Sequence, residues 1–127
     1  MDKKRSILLI DDEIMMLELV KKMLEPEFEV GVAISASEAI HYLNTTSVDV
    51  ILLDITMPNI TGFEFLFDIR KIPSYMDVPI IIVSGNSGHD FYEKARHSSA
   101  FDVLTKPVKK DLLVETIRKS LEQKGKK

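Results

Sequence analysis

Six polar side chains stand directly after short apolar runs, and their types are those that bind metal ions and phosphate. In chain order they are Asp11, Asp12, Glu13, Asp54, Ser84 and Lys106. Clustered carboxylates repel one another unless a cation lies between them, and Mg²⁺, which takes oxygen ligands and keeps several waters, suits a small carboxylate set. Near such an ion an aspartate can attack phosphorus as a nucleophile, while a lysine holds a phosphoryl oxygen. The pattern predicts phosphoryl chemistry if the fold brings these residues together.

Each of these residues also has an ordinary structural explanation. An aspartate after a strand is usually a turn residue or a helix cap, and Asp12 could cap the helix that follows it. Ser84 before Gly85 could belong to a turn, and Lys106 before Pro107 could be part of a loop. The functional hypothesis depends on the coincidence of such residues at four strand ends.

Strands and helices alternate along the chain in the pattern of an α/β protein. Short apolar runs predict five strands at 7–10, 28–33, 48–53, 79–83 and 101–105. Amphipathic stretches predict five helices at 13–24, 35–43, 61–70, 90–97 and 109–123. Ser35 and Thr61, each followed three residues later by glutamate, have the spacing of helix-capping boxes.

This alternation predicts a doubly wound five-stranded parallel sheet of flavodoxin-like order 2-1-3-4-5, with helices on both faces. In such a sheet ligands bind at the carboxyl ends of the strands, at the point where the strand order reverses. Strands one and three flank that point, so their terminal acids, Asp11, Asp12 and Asp54, should meet in one crevice. Ser84 and Lys106 should lie on its far side.

Length and composition bound the class of protein. The 127 residues suit one domain, which we place at 4–123, with 124–127 as a basic C-terminal tail or the start of a linker. The net charge of −3 disfavours direct nucleic-acid binding, and the lack of cysteine excludes disulfides and thiolate ligands. No apolar run approaches the roughly 20 residues of a membrane span, so we expect a cytoplasmic protein without membrane contact.

Four motifs in register resemble the receiver domain of bacterial two-component response regulators, in particular the single-domain chemotaxis type. They are Ile-Leu-Leu-Ile-Asp-Asp-Glu at 7–13, Leu-Leu-Asp-Ile-Thr-Met-Pro at 52–58 with Gly62, Ile-Ile-Val-Ser-Gly at 81–85, and Leu-Thr-Lys-Pro at 104–107. The resemblance covers essentially the whole chain.

The resemblance implies how the acidic residues act. Asp54 would accept a phosphoryl group from the phosphohistidine of a sensor histidine kinase or a histidine phosphotransferase. The protein ligands to Mg²⁺ would be the carboxylates of Asp11, Asp12 and Asp54 and the backbone carbonyl of Thr56.

It also implies roles for residues on the far side of the crevice. Ser84 would move toward the phosphoryl group, Lys106 would pair with it, and the peptide bond between Lys106 and Pro107 would be cis. Thr56 and Asn86 would lie beside the phosphoryl group, and we predict that they tune its hydrolysis.

The resemblance further implies a switch, not a conventional enzyme: a phosphoacceptor that assists its own phosphorylation and dephosphorylation. Phosphorylation would shift populations at the surface formed by 90–97, 101–105 and 109–123, toward a downstream target or output domain. The chain departs from the family pattern at three positions: Val103 replaces an aromatic switch residue, Gly85 a frequent alanine, and Ser99 a frequent glycine.

Competing functions need residues that this sequence lacks. An FMN binder needs a Ser/Thr/Gly-rich loop after strand one, where the acidic run at 11–13 would repel the FMN phosphate. A phosphatase of the haloacid dehalogenase type needs a second aspartate at the position of Thr56, and no P-loop motif is present. The alternative that stays open, because of Val103, is a receiver-like interaction module that works without phosphorylation.

The first predicted helix is unusually apolar, with eight apolar residues among the twelve at 13–24. These residues form either a wide core stripe or, through Met15, Met16 or Leu19, part of a docking face for the phosphodonor protein. The three histidines are isolated, and we predict that all lie on the surface and that none carries a phosphoryl group; they are His41, His89 and His97.

Overall fold

A five-stranded sheet forms the centre of the computed structural model, which describes residues 4–54, 62–85, 93–95 and 97–125. The strands are β1 (Ser6–Ile10), β2 (Glu29–Ala33), β3 (Val50–Asp54), β4 (Ile80–Ser84) and β5 (Asp102–Thr105). All neighbouring strands are parallel, in the order β2-β1-β3-β4-β5. The predicted doubly wound sheet of order 2-1-3-4-5 is therefore confirmed.

Helices cover both faces of this sheet. Within the described residues they are α1 (Ile14–Leu24), α2 (Ala36–Thr45), α3 (Gly62–Arg70) and α4 (Lys110–Gly125), with a 3₁₀ helix at Pro73–Tyr75. The 3₁₀ helix was missed by the periodicity analysis because three residues are too few to show a helical repeat. The predicted helix at 90–97 lies largely outside the described residues, of which 93–95 are helical.

The core lies in two layers because successive strand residues point to opposite faces. Leu8 and Ile10 of β1 pack with α2 and α3 on one face, and Ile7 and Leu9 pack with α1 and α4 on the other. Every residue of β3 is buried. Burial on both faces explains why the strands read as continuous apolar runs.

Two strands extend further toward their carboxyl ends than predicted. The strands predicted at 48–53 and 79–83 run instead from Val50 to Asp54 and from Ile80 to Ser84. Asp54 pairs with Val83, and Ser84 pairs with Thr105, so both polar residues belong to the sheet ladder. Their backbones are therefore fixed by the sheet, not by a loop.

Ser35 begins α2 as its spacing predicts. Its Oγ accepts a hydrogen bond from the Glu38 backbone N–H at 3.1 Å, and Glu38 Oε1 accepts one from the Ile34 N–H at 3.1 Å. The Glu38 N–H is one of the donors that the first helical turn leaves free, whereas the Glu38 carboxylate binds the N–H of Ile34, the residue before the N-cap, in place of the Ser35 N–H of the usual capping box. The corresponding prediction at Thr61 falls outside the described residues.

Arg70, at the end of α3, joins the segments that lead into β4 and β5. Its guanidinium donates to the carbonyls of Tyr75 at 3.1 Å, Val78 at 2.6 Å and Ser99 at 2.9 Å. Its Nε also donates to Ser99 Oγ at 2.9 Å. Ser99 therefore supplies a side-chain acceptor that glycine would lack, and the contacts hold together the entries of the two strands.

Gly31 in the edge strand β2 lies directly beneath the ring of Tyr42 from α2. A Cβ atom built on Gly31 would lie 2.5 Å from Tyr42 Cζ, closer than side-chain atoms approach one another. A side chain at position 31 would therefore force the Tyr42 ring to move.

We expect Gly31→Ala to lower the free energy of unfolding by about 1–2 kcal/mol, because the ring must leave its packed position. In a Tyr42→Ala background the same change should be neutral or stabilising, because alanine restricts the unfolded chain. Urea unfolding of the four proteins in this cycle measures the coupling. Equal costs of Gly31→Ala in both backgrounds would contradict the assignment.

Candidate functional site

The carboxyl ends of β1 and β3 place two buried carboxylates side by side. Asp11 follows β1 directly, and its backbone N–H donates to the Ala33 carbonyl at 3.1 Å, which continues the pairing with β2. Its Oδ1 accepts a hydrogen bond from the Glu13 N–H at 3.0 Å, which fixes the turn into α1. Asp54, the last residue of β3, is buried in the next strand. Each carboxylate is thus held by a backbone that the sheet makes rigid.

Asp12 completes an acidic cluster at this edge of the sheet. One carboxylate oxygen each from Asp11, Asp12 and Asp54 lies within 4.8 Å of the others. Asp12 is exposed, whereas the other two are buried, so the cluster opens to solvent on one side. Oxygen ligands at this spacing fit a small hard cation such as Mg²⁺ after small adjustments, with water filling its open positions.

Lys106 brings a positive charge into the same cluster from the end of β5. Its backbone N–H donates to the Ser84 carbonyl at 2.9 Å, and the Lys106–Pro107 peptide is cis, as predicted. Its Nζ lies 3.4 Å from Asp54 Oδ2 and 3.5 Å from Asp11 Oδ2. The ammonium is therefore held against both buried carboxylates.

Burial and charge shift the ionisation of this cluster. Burial raises the pKa of Asp11 to about 6; the Glu13 N–H bond lowers it, Asp54 raises it further and Lys106 lowers it. Burial lowers the pKa of Lys106, but the charges of Asp54, Asp11 and Glu13 outweigh this, and the net direction is upward. Lys106 is therefore positively charged at neutral pH, and the pKa of Asp11, about 6, lies above the ordinary range of an aspartate.

Ser84 lies one position beyond the neighbour of Asp54 in β4, and its side chain is completely buried. Sequence analysis placed this hydroxyl on the far side of the crevice, and its strand position agrees with that placement. Thr56 and Asn86 fall outside the described residues. The structure thus brings together Asp11, Asp12, Asp54 and Lys106, with Ser84 in the adjacent strand.

Glu13 is among the six polar residues that follow apolar runs, but the sequence gives it no role in the site, whereas the structure makes it a charged neighbour of the site. Its Oε1 lies 3.5 Å from Lys106 Nζ, although its side chain is 65% exposed. The one signal in the sequence is its position directly after Asp12, where it begins the predicted helix 13–24. Contact with a residue 93 positions away cannot be read from local spacing.

The helix α1 separates into a buried and an exposed apolar face. Leu17, Val20 and Leu24 are buried in the core. Met15 is 84% exposed and Leu19 is also exposed, whereas Met16 is partly buried against the core. The core stripe is thus present on one side of α1, and Met15 and Leu19 of the predicted docking face lie exposed on the other.

The other side chains singled out by sequence lie away from the acids. Val103 is partly buried and packs against the α2–α3 layer. His41 and His97 are exposed, as predicted, and His89 falls outside the described residues.

Fold and site together define a flavodoxin-like α/β protein with an acidic, lysine-containing site at its topological switch point. The family model of the response regulator receiver domain matches residues 7–118, and the chain belongs to that family. This chain is similar to the hydrogenase transcriptional regulatory protein HoxA of Cupriavidus necator, with 32% identity over 98% of this chain. The transcriptional regulatory protein GlrR of Escherichia coli is 33% identical over 95% of this chain.

A solved structure agrees over nearly the whole chain. It is the CheY-like response regulator receiver domain protein of Methanospirillum hungatei, with 27% identity, a TM-score of 0.89 and 98% coverage of both chains. This chain spans about a quarter of the length of the two curated relatives, 26% of HoxA and 27% of GlrR. No helix among the described residues has both the length and the apolarity needed to cross a bilayer. The family match and the solved structure make this domain a signalling module homologous to those of response regulators.

Proposed function

We propose that this receiver domain accepts a phosphoryl group on Asp54 and thereby switches its interactions with a partner. The observation that carries the proposal is the buried Asp54 carboxylate, 3.4 Å from Lys106 Nζ and within the oxygen cluster of Asp11 and Asp12. A nucleophilic carboxylate beside a fixed cation and a set of metal-binding oxygens suits phosphoryl transfer, which depends on positioning and charge neutralisation.

Asp54 is the nucleophile in this proposal. A carboxylate oxygen of Asp54 attacks phosphorus, the P–N bond of a phosphohistidine breaks, and an imidazole protonated on its other nitrogen leaves in neutral form. Lys106 turns its ammonium toward a phosphoryl oxygen and offsets the added negative charge. Ser84 can donate a hydrogen bond to another oxygen. Hydrolysis reverses the modification: water attacks phosphorus, the P–O bond to Asp54 breaks, and inorganic phosphate leaves.

The proposed cofactor is Mg²⁺, held by Asp11, Asp12, Asp54 and the backbone carbonyl of Thr56. When bound, the ion neutralises charge that builds up on the phosphoryl oxygens. Asp11 would remain ionised beside it, because a metal ion favours the charged carboxylate. The chain's own residues would then bind and orient the phosphoryl group, and they would exclude water from the reacting carboxylate.

The test is an intact-mass measurement after incubation with a small phosphodonor and Mg²⁺. We expect one phosphoryl adduct, absent after chelation and absent in Asp54→Asn. Asp68→Asn, an exposed acid on α3, provides the matched control and should label normally. An adduct that persists in Asp54→Asn, or wild-type protein that never labels, would overturn the proposal.

The predicted alternative, an interaction module that works without phosphorylation, has less support. Its motivation is Val103, a partly buried residue that has no aromatic ring. The acids and Lys106 lie at contact distance, an arrangement that an inert module has no reason to maintain, since clustered buried charges are costly.

The proposed phosphodonor is a sensor histidine kinase or histidine phosphotransferase. The proposed receiver unit is 4–123 followed by the tail 124–127, although α4 continues two residues into that tail, to Gly125. We further propose a cytoplasmic location, an unidentified downstream target or output domain, and no direct contact with nucleic acid or membrane. The switch assists its own phosphorylation and dephosphorylation and needs no further catalytic activity.

The exposed face of α1, formed by Ile14, Met15 and Leu19, is the proposed docking surface for that donor, because it begins next to the acidic cluster. We expect Met15→Lys to slow transfer from a phosphohistidine protein about tenfold or more, because a charge replaces an apolar contact. Labelling by a small donor should not change. The control is Met76→Lys, 60% exposed and remote from the carboxyl ends of the strands. Equal effects of both variants would contradict the assignment.

A further inference from the structure

We propose that Glu13 is a positioning residue that holds the Lys106 ammonium at the mouth of the site before phosphorylation and slows the loading of Asp54 by small anionic donors. This inference rests on the proposed phosphoacceptor function. Three carboxylate oxygens surround Lys106 Nζ at nearly equal distances: Asp54 at 3.4 Å, Asp11 at 3.5 Å and Glu13 at 3.5 Å. Asp54 and Asp11 are buried, and Glu13 is the member of this set that stands in solvent.

Among the residues that the structure describes, the Glu13 side chain forms no hydrogen bond or ion pair other than its contact with Lys106. It occupies the N-cap position of α1 with an extended backbone, φ −92° and ψ 104°, but its side chain makes no capping hydrogen bond. Short side chains are preferred at that position because they reach the first free N–H groups. The longer Glu13 carboxylate instead reaches across to Lys106, on the opposite side of the crevice.

The consequence for loading is electrostatic. Glu13 Oε1 and Asp54 Oδ2 both lie within 3.5 Å of one nitrogen, so they are at most about 7 Å apart. That separation is shorter than the Debye length of roughly 8 Å at physiological salt, so Glu13 repels an incoming phosphate. Glu13 also pairs with the Lys106 ammonium, which the phosphoryl group needs as its own partner. A docked protein donor can offset this cost through contacts that a small donor lacks.

The test compares Glu13→Gln with Glu18→Gln, an exposed acid on α1 that gives the same change in net charge. We expect Glu13→Gln to accelerate labelling by acetyl phosphate, a dianion near neutral pH, by about threefold to tenfold. Labelling by phosphoramidate, a monoanion, should accelerate less, and high salt should reduce both effects. Glu18→Gln should behave like the wild type.

A second readout needs no phosphodonor. In metal-free protein the Lys106 ¹⁵Nζ resonance, assigned with Lys106→Arg, should shift and exchange faster with water in Glu13→Gln but not in Glu18→Gln. An unchanged resonance together with unchanged labelling would overturn the role of Glu13 while leaving the phosphoacceptor function intact. Wild-type protein that takes no phosphoryl group would overturn the proposed function and this role with it.

Discussion

Replacing Lys106 by methionine should slow phosphorylation of Asp54 by roughly 100-fold, the scale on which a preorganised charge contact to a reacting group acts. The ammonium lies 3.4 Å from Asp54 Oδ2, and its side chain is only 16% exposed, so water cannot readily replace it. Methionine keeps the length and the apolar stem but loses the charge. Rates of adduct formation with acetyl phosphate, measured at saturating Mg²⁺, give the effect.

Mg²⁺ affinity separates this role from a role in metal binding. Removing a competing cation from the acidic cluster should leave Mg²⁺ binding unchanged or make it tighter, even as phosphorylation slows. Lys109→Met, at an exposed position three residues further along the chain, should alter neither quantity. If Lys106→Met weakened metal binding in proportion to the lost rate, the ammonium would serve the metal site and not the phosphoryl group.

The sheet was predictable because strands that are buried on both faces need apolar residues at every position. Central strands show continuous apolar runs, and their alternation with amphipathic stretches leaves few parallel topologies. The ends of the strands were harder to predict than the sheet, because polar residues such as Asp54 and Ser84 interrupt the apolar run although the sheet ladder continues through them. Tertiary pairing, not local preference, decides where these strands stop.

The site was predictable to the extent that topology alone places residues. Strand order brings Asp11, Asp12 and Asp54 to one edge, and the structure finds their oxygens within 4.8 Å of each other. The contact between Glu13 and Lys106 depends on the direction of two side chains across a crevice, and no periodic pattern in the sequence indicates it. The same holds for the four hydrogen bonds that Arg70 donates.

Asp11→Asn should stabilise the metal-free protein at neutral pH. Burial makes the largest contribution to a rise in the pKa of Asp11 from its ordinary value of 3.8 to about 6. The folded state therefore binds a proton more readily than the unfolded state. Stability from this residue is therefore complete below about pH 4 and is lost as the pH rises through about 6. The difference between the two pKa values corresponds to at most about 3 kcal/mol of lost stability at pH 7.

Asparagine resembles the protonated acid, and its Oδ1 can still accept the hydrogen bond from the Glu13 N–H. We therefore expect Asp11→Asn to raise the free energy of unfolding by about 1–3 kcal/mol at pH 7 without metal, and by little at pH 4. Urea unfolding at both pH values measures the gain, with Asp68→Asn as the control for an exposed acid. Mg²⁺ should stabilise the wild type more than the variant, because it binds the charged carboxylate. A variant less stable than the wild type at pH 7, or equally shifted at both pH values, would show that Asp11 carries no such penalty.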